Sequence, residues 1–230
     1  MSFRLLDVFC GPGGAGEGYR RAGFEVWGVD KETQRYFPGM FTQADALEFL
    51  ADGGAEGFHA IHASPPCQRY SSMTAMSGRS DSHPDLIAPT RELLEATGLP
   101  YIIENVPRAP LIDPVLICGA ALGRWIDEVG KRYILRRHRL FESNIPIRGT
   151  GCGCVRGDGI TLGVYGGGTR QVARRDHGGG NTSKANLAQA AALIGMSWAT
   201  RVEMNQAIPP SYTEMLGAQL LEHLAMKAAA

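Results

Sequence analysis

The 230-residue chain has no net charge, few cysteines and no long apolar run. A membrane span needs about 18 or more consecutive apolar residues, and an export signal needs a shorter apolar core behind basic residues. Five cysteines are an odd number, which without an export signal indicates reduced thiols rather than a disulfide framework. We therefore expect a cytoplasmic protein with no membrane partner.

Clusters of metal-ligand residues are also scarce in the sequence. Cys152 and Cys154 form a CxC pair, and His177 follows later. Structural zinc sites usually show two spaced pairs of ligands. The sequence therefore predicts no metal site.

A glycine-rich string, DVFCGPGG, occupies residues 7–14. It follows an apolar run at 3–9 and leads into a predicted helix at 15–22, an arrangement that cradles nucleotide-like ligands. Its spacing is not the GxGxxG of dinucleotide binders, so S-adenosylmethionine fits better than NAD. A plain tight turn is the alternative.

Two carboxylates follow where an adenosyl ligand would need them. Asp30 ends a second predicted strand, 25–29, from which a carboxylate could accept ribose hydroxyls, and Asp45 precedes the helical string ALEFL. A solvated strand end and a helix N-cap are the alternative roles.

The string SPPCQ at 64–68 presents Cys67 on a loop. Its two prolines break the strand predicted at 58–63, and ligands of doubly wound sheets bind outside the carboxyl ends of the strands. A thiolate added to carbon 6 of cytosine makes carbon 5 nucleophilic enough to accept a methyl group, and cysteine ionises readily enough to do this. A partly buried structural cysteine is the alternative.

The string ENVP at 104–107 places Glu104 after another short strand, 101–103, with a helical segment at 89–97 before it. A strand–helix–strand crossover returns the chain in the same direction, so Glu104 and Cys67 should share one rim of the sheet. A glutamate with a raised pKa could donate a proton to nitrogen 3 of the ring. A solvated strand end is the alternative.

The string RRHR at 136–139 carries two arginines that strand alternation would place on one face. Arg137 and Arg139 could there hold the cytosine carbonyl and a flanking phosphate. The alternative is a basic edge strand that prevents pairing with other chains.

These strings, in this order, resemble the motifs of the DNA (cytosine-5)-methyltransferase family, and NQAIPPSYTEML at 205–216 resembles the family's last motif, which packs beside the cofactor loop. The resemblance implies a Rossmann-like α/β methyltransferase fold with a mostly parallel, doubly wound sheet, and S-adenosylmethionine as cofactor. It implies catalytic roles for Cys67, Glu104, Arg137 and Arg139. It implies cofactor contacts from Phe9, Cys10, Gly11, Gly13, Gly14, Asp30, Lys31, Asp45, Pro65, Gln206 and Ala207.

The chain departs from the family's pattern in two places. Asn205 and Gln206 stand where the family usually has Gly-Asn, and the segment before them is short. We therefore predict a compact phage or bacterial type of member. Its domains would be a catalytic domain at 1–142, a reduced and basic target-recognition lobe at 143–198, and a return to the catalytic domain at 199–230.

Charge distribution favours a nucleic-acid partner. Acidic residues predominate in 1–115 and basic residues in 116–185, so a basic lobe would grip the phosphate backbone. Residues 69–83 resemble the family's mobile catalytic loop, and 149–183 is rich in glycine and arginine. The predicted nucleic-acid contacts are Arg69, Ser71, Arg156, Arg170, Arg174 and Arg175.

The resulting prediction is a monomeric enzyme that methylates carbon 5 of cytosine in DNA, in a bacterial cytoplasm or a phage-infected cell. A restriction endonuclease is a candidate partner. Methylation of RNA or tRNA, methylation of a free cytosine nucleotide, and a catalytically silent nucleic-acid binder are the alternatives.

Overall fold

The computed structural model describes residues 2–70, 83–122, 125–155, 159–164, 183–184 and 186–229. In chain order its elements are β1 (Arg4–Val8), α1 (Gly14–Ala22), β2 (Glu25–Asp30), β3 (Met40–Gln43), α2 (Ala46–Ala51), β4 (Ala60–Ala63), α3 (Ile87–Thr97), β5 (Tyr101–Asn105), β6 (Val115–Cys118), α4 (Gly119–Leu122), β7 (Trp125–Ile126), β8 (Arg132–Ile134), β9 (His138–Ser143), β10 (Ile160–Gly163), β11 (Ser183–Lys184), α5 (Leu187–Ile194), α6 (Arg201–Gln206) and α7 (Pro210–Ala228). None of the helices described is both long enough and apolar enough to cross a membrane.

A seven-stranded sheet with the order β3-β2-β1-β4-β5-β9-β6 forms the body of the protein. The first five strands in this order are parallel, and β9 runs antiparallel to both of its neighbours. Strands β4 and β5 are buried along their whole length, as strands covered on both faces must be. The predicted mostly parallel, doubly wound sheet is confirmed, and the carboxyl ends of β1, β2, β4 and β5 share one rim.

Helices cover both faces of this sheet. On one face, Leu50 of α2 and Leu94 of α3 pack into an apolar cluster with strands β1, β4 and β5. On the other face, α1 and α7 pack against each other and against the sheet through Tyr19 and Tyr212. The two helices approach closely at Gly18, which has no Cβ atom. A Cβ atom there would collide with the carbonyl oxygen of Pro210.

A smaller sheet, ordered β11-β10-β8-β7, lies after β6 in the chain and has its own apolar cluster with α5 and α6. Tyr133 and Leu135 contribute to this cluster from before β9, and Ile145 still belongs to the core of the large sheet. The small unit therefore begins earlier than the lobe predicted at 143–198. The assignment of this unit to target recognition stays a prediction.

Candidate active site

The glycine-rich turn joins β1 to α1 through left-handed backbone. Phe9, Gly11 and Gly13 have φ angles of 56°, 49° and 82°, a conformation that glycine adopts without strain. The amide of Cys10 donates to the carbonyl of Val29 over 3.1 Å, which ties the turn to β2. A Cβ atom at Gly11 would meet no heavy atom within 4 Å, so the turn opens onto empty space at this point.

Asp30 ends β2 directly beside this turn. Its Oδ2 accepts a hydrogen bond from the amide of Gly11 over 2.9 Å, and its Oδ1 accepts one from the amide of Glu32 over 3.0 Å. The two bonds fix a carboxylate at the mouth of the glycine hollow. Lys31, predicted as a cofactor contact, is exposed, and its ligand role stays a prediction.

Asp45 is the N-cap of α2. Its Oδ1 accepts hydrogen bonds from the amides of Leu47 and Glu48, over 2.9 Å and 3.2 Å. The capping alternative considered for this residue is therefore present in the structure, and both bonds use the same carboxylate oxygen. A contact between Asp45 and the cofactor stays a prediction.

The last sequence motif lies against the glycine turn, as the resemblance implied. A Cβ atom at Gly14 would collide with the carbonyl oxygen of Ile208 and lie 3.3 Å from the Cβ of Ala207. The Thr213 hydroxyl donates to the carbonyl of Ala15 over 2.8 Å. Gln206 is exposed at the end of α6, whereas Ala207 is buried.

Cys67 follows β4, and Glu104 lies near the end of β5 at the same rim. The side-chain amide of Asn105 donates to the carbonyl of Pro65 over 2.9 Å, which joins the loop of Cys67 to the strand that carries Glu104. Cys67 is half-buried and Glu104 is buried. The structure thus brings together the predicted nucleophile and the predicted acid.

Arg139 holds the carboxylate of Glu104. Its Nε lies 2.7 Å from Oε1 of Glu104, and both side chains are largely shielded from solvent. Burial raises the pKa of Glu104, and the charges of Arg139 and Arg137 together with a hydrogen bond from Ser64 oppose this without reversing it. A buried carboxyl with a raised pKa is able to hold and donate a proton.

The Cys67 thiol is disfavoured as a thiolate in the free protein. Burial and the negative charge of Glu104 raise its pKa, whereas the positive charges of Arg139 and Arg137 lower it. The raising effects prevail, so the resting sulfur is protonated near neutral pH. A change in the charge of Glu104 is therefore expected to change the reactivity of Cys67.

Buried Tyr19 and His62 and half-buried Ser64 connect the core to this rim, and sequence analysis did not identify this connection. The hydroxyl of Tyr19 lies 3.0 Å from Nδ1 of His62, and Nε2 of His62 lies 2.9 Å from the hydroxyl of Ser64. Burial lowers the pKa of His62 to about 3, so the ring is neutral at pH 7. His62 occupies an apolar strand in the sequence, and its partners come from α1 and the following loop, so no local pattern indicated the connection.

Arg137 has a different environment from the one predicted. It is buried just before β9, and its guanidinium donates to the backbone carbonyls of Val164, Met204 and Asn205 over 2.9 to 3.3 Å. These bonds tie the small sheet and α6 to the start of β9. The arginine therefore holds backbone in place, and its role towards the cytosine carbonyl or a flanking phosphate stays a prediction.

Most of the predicted nucleic-acid contacts lie outside the described residues, as does His177. This applies to Ser71, Arg156, Arg170, Arg174 and Arg175. Arg69 is described, and it donates to the carbonyl of His83 over 3.0 Å, so it joins the two ends of the segment that follows Cys67. The nucleic-acid roles of these residues stay predictions.

Solved structures with this fold are methyltransferases. Dnmt2 methyltransferase of S. pombe is 14% identical, with a TM-score of 0.60 over 97% of this chain and 99% of that one. A putative DNA modification methyltransferase encoded within an E. coli prophage is 15% identical, with a TM-score of 0.59 over 98% and 100%. The methyltransferase EhMeth of Entamoeba histolytica is 12% identical, with a TM-score of 0.53 over 99% and 99%. At these identities the likeness shows the fold, and it confirms the predicted methyltransferase architecture.

Residues 3–110, a little under half of the chain, match the profile of the C-5 cytosine-specific DNA methylases. This region is similar to that family, and the match supports methyl transfer of the C-5 cytosine type. No curated protein sequence matches the chain.

S-adenosylmethionine is the cofactor that this similarity implies. The residues present fit it, because the glycine turn opens onto free space at Gly11 and carries the fixed carboxylate of Asp30 at its mouth. Phe9 is half-buried at the start of the same turn, and Ala207 closes its far side against Gly14. These residues would hold the cofactor next to the rim that carries Cys67.

Proposed function

We propose that the protein methylates carbon 5 of cytosine in DNA through a covalent adduct between Cys67 and carbon 6. One observation carries the proposal. The thiol of Cys67 and the buried carboxyl of Glu104 share a rim, the charge of Glu104 raises the pKa of Cys67, and Nε of Arg139 lies 2.7 Å from Oε1 of that carboxyl. The glycine hollow lies at the same rim, on β1.

In the first step the Cys67 thiol gives its proton to a base, the sulfur forms a bond to carbon 6, and the electron pair of the C5=C6 bond moves into the ring. Glu104 donates a proton to nitrogen 3, where negative charge would otherwise accumulate. Burial raises the pKa of this carboxyl, which favours its protonated form. Arg139 keeps the carboxyl oriented towards the ring, because a charge-assisted bond in a buried site restricts its rotation.

Bound S-adenosylmethionine supplies an electrophilic methyl group on its sulfonium sulfur. Carbon 5 would take that methyl group with the electron pair that the addition moved into the ring. A base then removes the carbon 5 proton, and the electron pair of that C–H bond restores the C5=C6 bond as the Cys67–C6 bond breaks and returns the thiolate. The proton on nitrogen 3 returns to Glu104. A base stacked in a duplex hides carbons 5 and 6 from both reactants, so the cytosine must leave the stack before Cys67 can attack.

DNA is the substrate we propose because the family match is to DNA methylases and because a prophage structure of this fold is titled a putative DNA modification methyltransferase. The excess of basic residues in 116–185 supports a polyanionic substrate. We further propose a monomeric, cytoplasmic enzyme with a restriction endonuclease as a candidate functional partner. Light scattering on the purified chain measures its oligomeric state.

The test of the substrate uses labelled S-adenosylmethionine with duplex DNA, tRNA and dCMP in separate reactions. Label in DNA, located by sequencing for modified cytosine, is the expected result. Label in tRNA alone or in dCMP alone would overturn the DNA assignment and keep the cytosine chemistry. Nucleic-acid binding without any transfer would identify a catalytically silent binder.

The test of the adduct uses duplex DNA that contains 5-fluorocytosine. Fluorine at carbon 5 cannot leave as a proton does, so the enzyme should stay attached through Cys67. Mass spectrometry of the digested complex should locate the nucleotide on the peptide that contains SPPCQ. An adduct on another cysteine, or an adduct of equal yield with Cys67→Ser, would contradict the assignment.

A further inference from the structure

Four potential metal ligands converge at the far edge of the large sheet, away from Cys67. Among the described residues, Cys118, His138, Cys152 and Cys154 place one ligand atom each within 4.8 Å of all the others. Cys118 ends β6, His138 begins β9, and the two other cysteines follow β9 on the loop at 144–155. All four cysteine and histidine side chains are unused in the proposed methyl transfer.

Distances within the cluster match those of a tetrahedral site. Zinc bonds of about 2.3 Å to sulfur and about 2.0 Å to nitrogen place two sulfurs about 3.8 Å apart, and a sulfur and a nitrogen about 3.6 Å apart. The Sγ atoms of Cys118 and Cys154 lie 3.5 Å apart. Nε2 of His138 lies 3.4 Å from Sγ of Cys152 and 3.7 Å from Sγ of Cys154.

A disulfide does not explain these contacts. A disulfide bond joins two sulfurs at about 2.05 Å, and all five cysteines of the chain are free thiols in the structure. The imidazole nitrogen of His138 also takes part in the cluster, whereas a disulfide bond involves sulfur atoms alone. A single ion at the centre would be bonded to all four side chains.

Local structure prepares the four side chains for this arrangement. Cys118 and His138 are direct partners across the antiparallel ladder of β6 and β9. The following loop is held against β6, because the amide of Gly151 donates to the carbonyl of Leu116 and the amide of Cys118 donates to the Thr150 hydroxyl, each over 3.0 Å.

Backbone amides also point at the sulfurs. The amides of Gly153 and Ala120 donate to the sulfur of Cys118, and the amide of Cys154 donates to the sulfur of Cys152. Such bonds from outside the ligand set stabilise thiolates and orient metal ligands. Cysteines that are close together only by chance would not be expected to receive such hydrogen bonds from backbone amides.

The geometry points to a structural Zn²⁺ site with Cys118, His138, Cys152 and Cys154 as its four ligands. Three thiolates and one imidazole at tetrahedral spacing are the donor set that zinc prefers, and four protein ligands leave no open position for a substrate. Each thiol that binds loses its proton to solvent, and the metal keeps its charge and oxidation state.

The site would join three parts of the chain through a single ion. It links the end of β6, the first residue of β9 and the loop that leads into the small sheet. His138 lies between Arg137 and Arg139, so the metal would fix the strand that carries the arginine of the active-site ion pair. The inference stands whether or not DNA is the substrate, because it rests on ligand geometry.

Metal content is the primary test. The full chain is purified in reducing buffer, any affinity tag is removed, and bound metals are measured by mass spectrometry. We expect about one zinc per chain, or uptake of one equivalent when Zn²⁺ is added to metal-free protein. Substitution by Co²⁺ should give the visible absorption of a tetrahedral thiolate site.

Two cysteine variants show whether these ligands hold the metal. Cys152→Ser removes the exposed ligand, and we expect zinc affinity to fall at least about 10-fold, measured by competition with a coloured chelator. Cys67→Ser is the matched control, because it removes a cysteine outside the cluster and should leave zinc content unchanged. Circular dichroism verifies that both variants are folded.

Thermal unfolding gives a second readout that does not require activity. A chelator should lower the melting temperature of the wild type and should change that of Cys152→Ser much less. Failure of the wild-type chain to bind zinc under reducing conditions would overturn the proposal. Equal zinc binding by Cys152→Ser and the wild type would overturn it as well.

Discussion

Residues 3–110 and the segment from 115 to 207 differ in how they bring functional groups together. In the first region, the glycine turn, Asp30, Cys67 and Glu104 each follow a strand of a parallel array, so one topological rule places them all at one rim. In the second region, Arg137, Arg139 and His138 obtain their partners through antiparallel pairing and loop packing.

The first region carries the side chains proposed to react or bind ligands, and the second region mainly carries side chains that hold the structure in place. Side chains of the first region would touch the cofactor and the base, whereas Arg137 and the cysteine–histidine cluster hold backbone in place. Arg139 belongs to both groups, because it lies on β9 and binds Glu104 of β5. Substitutions in the two regions should therefore affect different measurements.

The largest expected effect is that of Cys67→Ser. A serine hydroxyl ionises far less readily than a thiol, so methyl transfer should fall by roughly four orders of magnitude. The melting temperature and the zinc content should stay at wild-type values, because Cys67 supports neither core nor cluster. Full transfer activity in this variant would refute the assignment of the nucleophile and, with it, the separation of the two regions.

Glu104→Gln should reduce methyl transfer by about 10²- to 10⁴-fold, because the amide cannot donate the proton to the ring. The same change removes the negative charge that raises the pKa of Cys67, so that pKa should fall. The rate of Cys67 alkylation as a function of pH, followed by mass spectrometry, measures this shift. Glu25→Gln, on an exposed position of β2, is the control and should change neither quantity.

Arg137→Met tests the second region through stability. It leaves three buried carbonyl oxygens without their charged donor, so we expect a loss of about 2 to 4 kcal/mol in the free energy of unfolding. Arg20→Met is the matched control, because Arg20 is largely exposed and pairs with Glu17 on the same helix. Its loss should stay below about 1 kcal/mol. Equal losses would contradict the role given to Arg137.

The smallest expected effect is a change in pH dependence. Folded His62 has a pKa of about 3 because burial disfavours its charged form, whereas an unfolded histidine titrates near 6.5. The stability that comes from this neutral ring is present above about pH 6.5 and is lost as the pH falls towards 3, by at most about 1.4 kcal/mol per pH unit. Urea unfolding between pH 7 and 4 should therefore show a shallower slope for His62→Gln. An unchanged slope would contradict the buried, neutral ring.

Sequence patterns were sufficient for the first region because its signals are local. The glycines at 11, 13 and 14 permit a left-handed turn, and the prolines before Cys67 end a strand, whatever the rest of the chain does. Strand, helix and strand in succession then imply parallel pairing. The rim that carries Cys67 and Glu104 follows from these features without knowledge of distant contacts.

The backbone partners of Arg137 could not be predicted from the sequence, for an identifiable reason. Alternation along a strand assigns faces only where residues belong to the strand, and Arg137 precedes β9. Its three acceptors come from Val164, Met204 and Asn205, which are remote in the sequence. No period of two or of 3.6 residues can indicate such partners.

By itself, the sequence determined the order of strands and turns at the catalytic rim, the kind of cofactor and the resemblance to one family, because each depends on neighbours within a few residues. Tertiary structure decided which side chains form ion pairs, hydrogen bonds and clusters with one another. The ion pair of Arg139 with Glu104, the connection from Tyr19 to Ser64, and the cluster of Cys118, His138, Cys152 and Cys154 all join separate elements. Their formation depends on the packing of the whole chain, because the distance between two side chains on different elements is set only when those elements pack together.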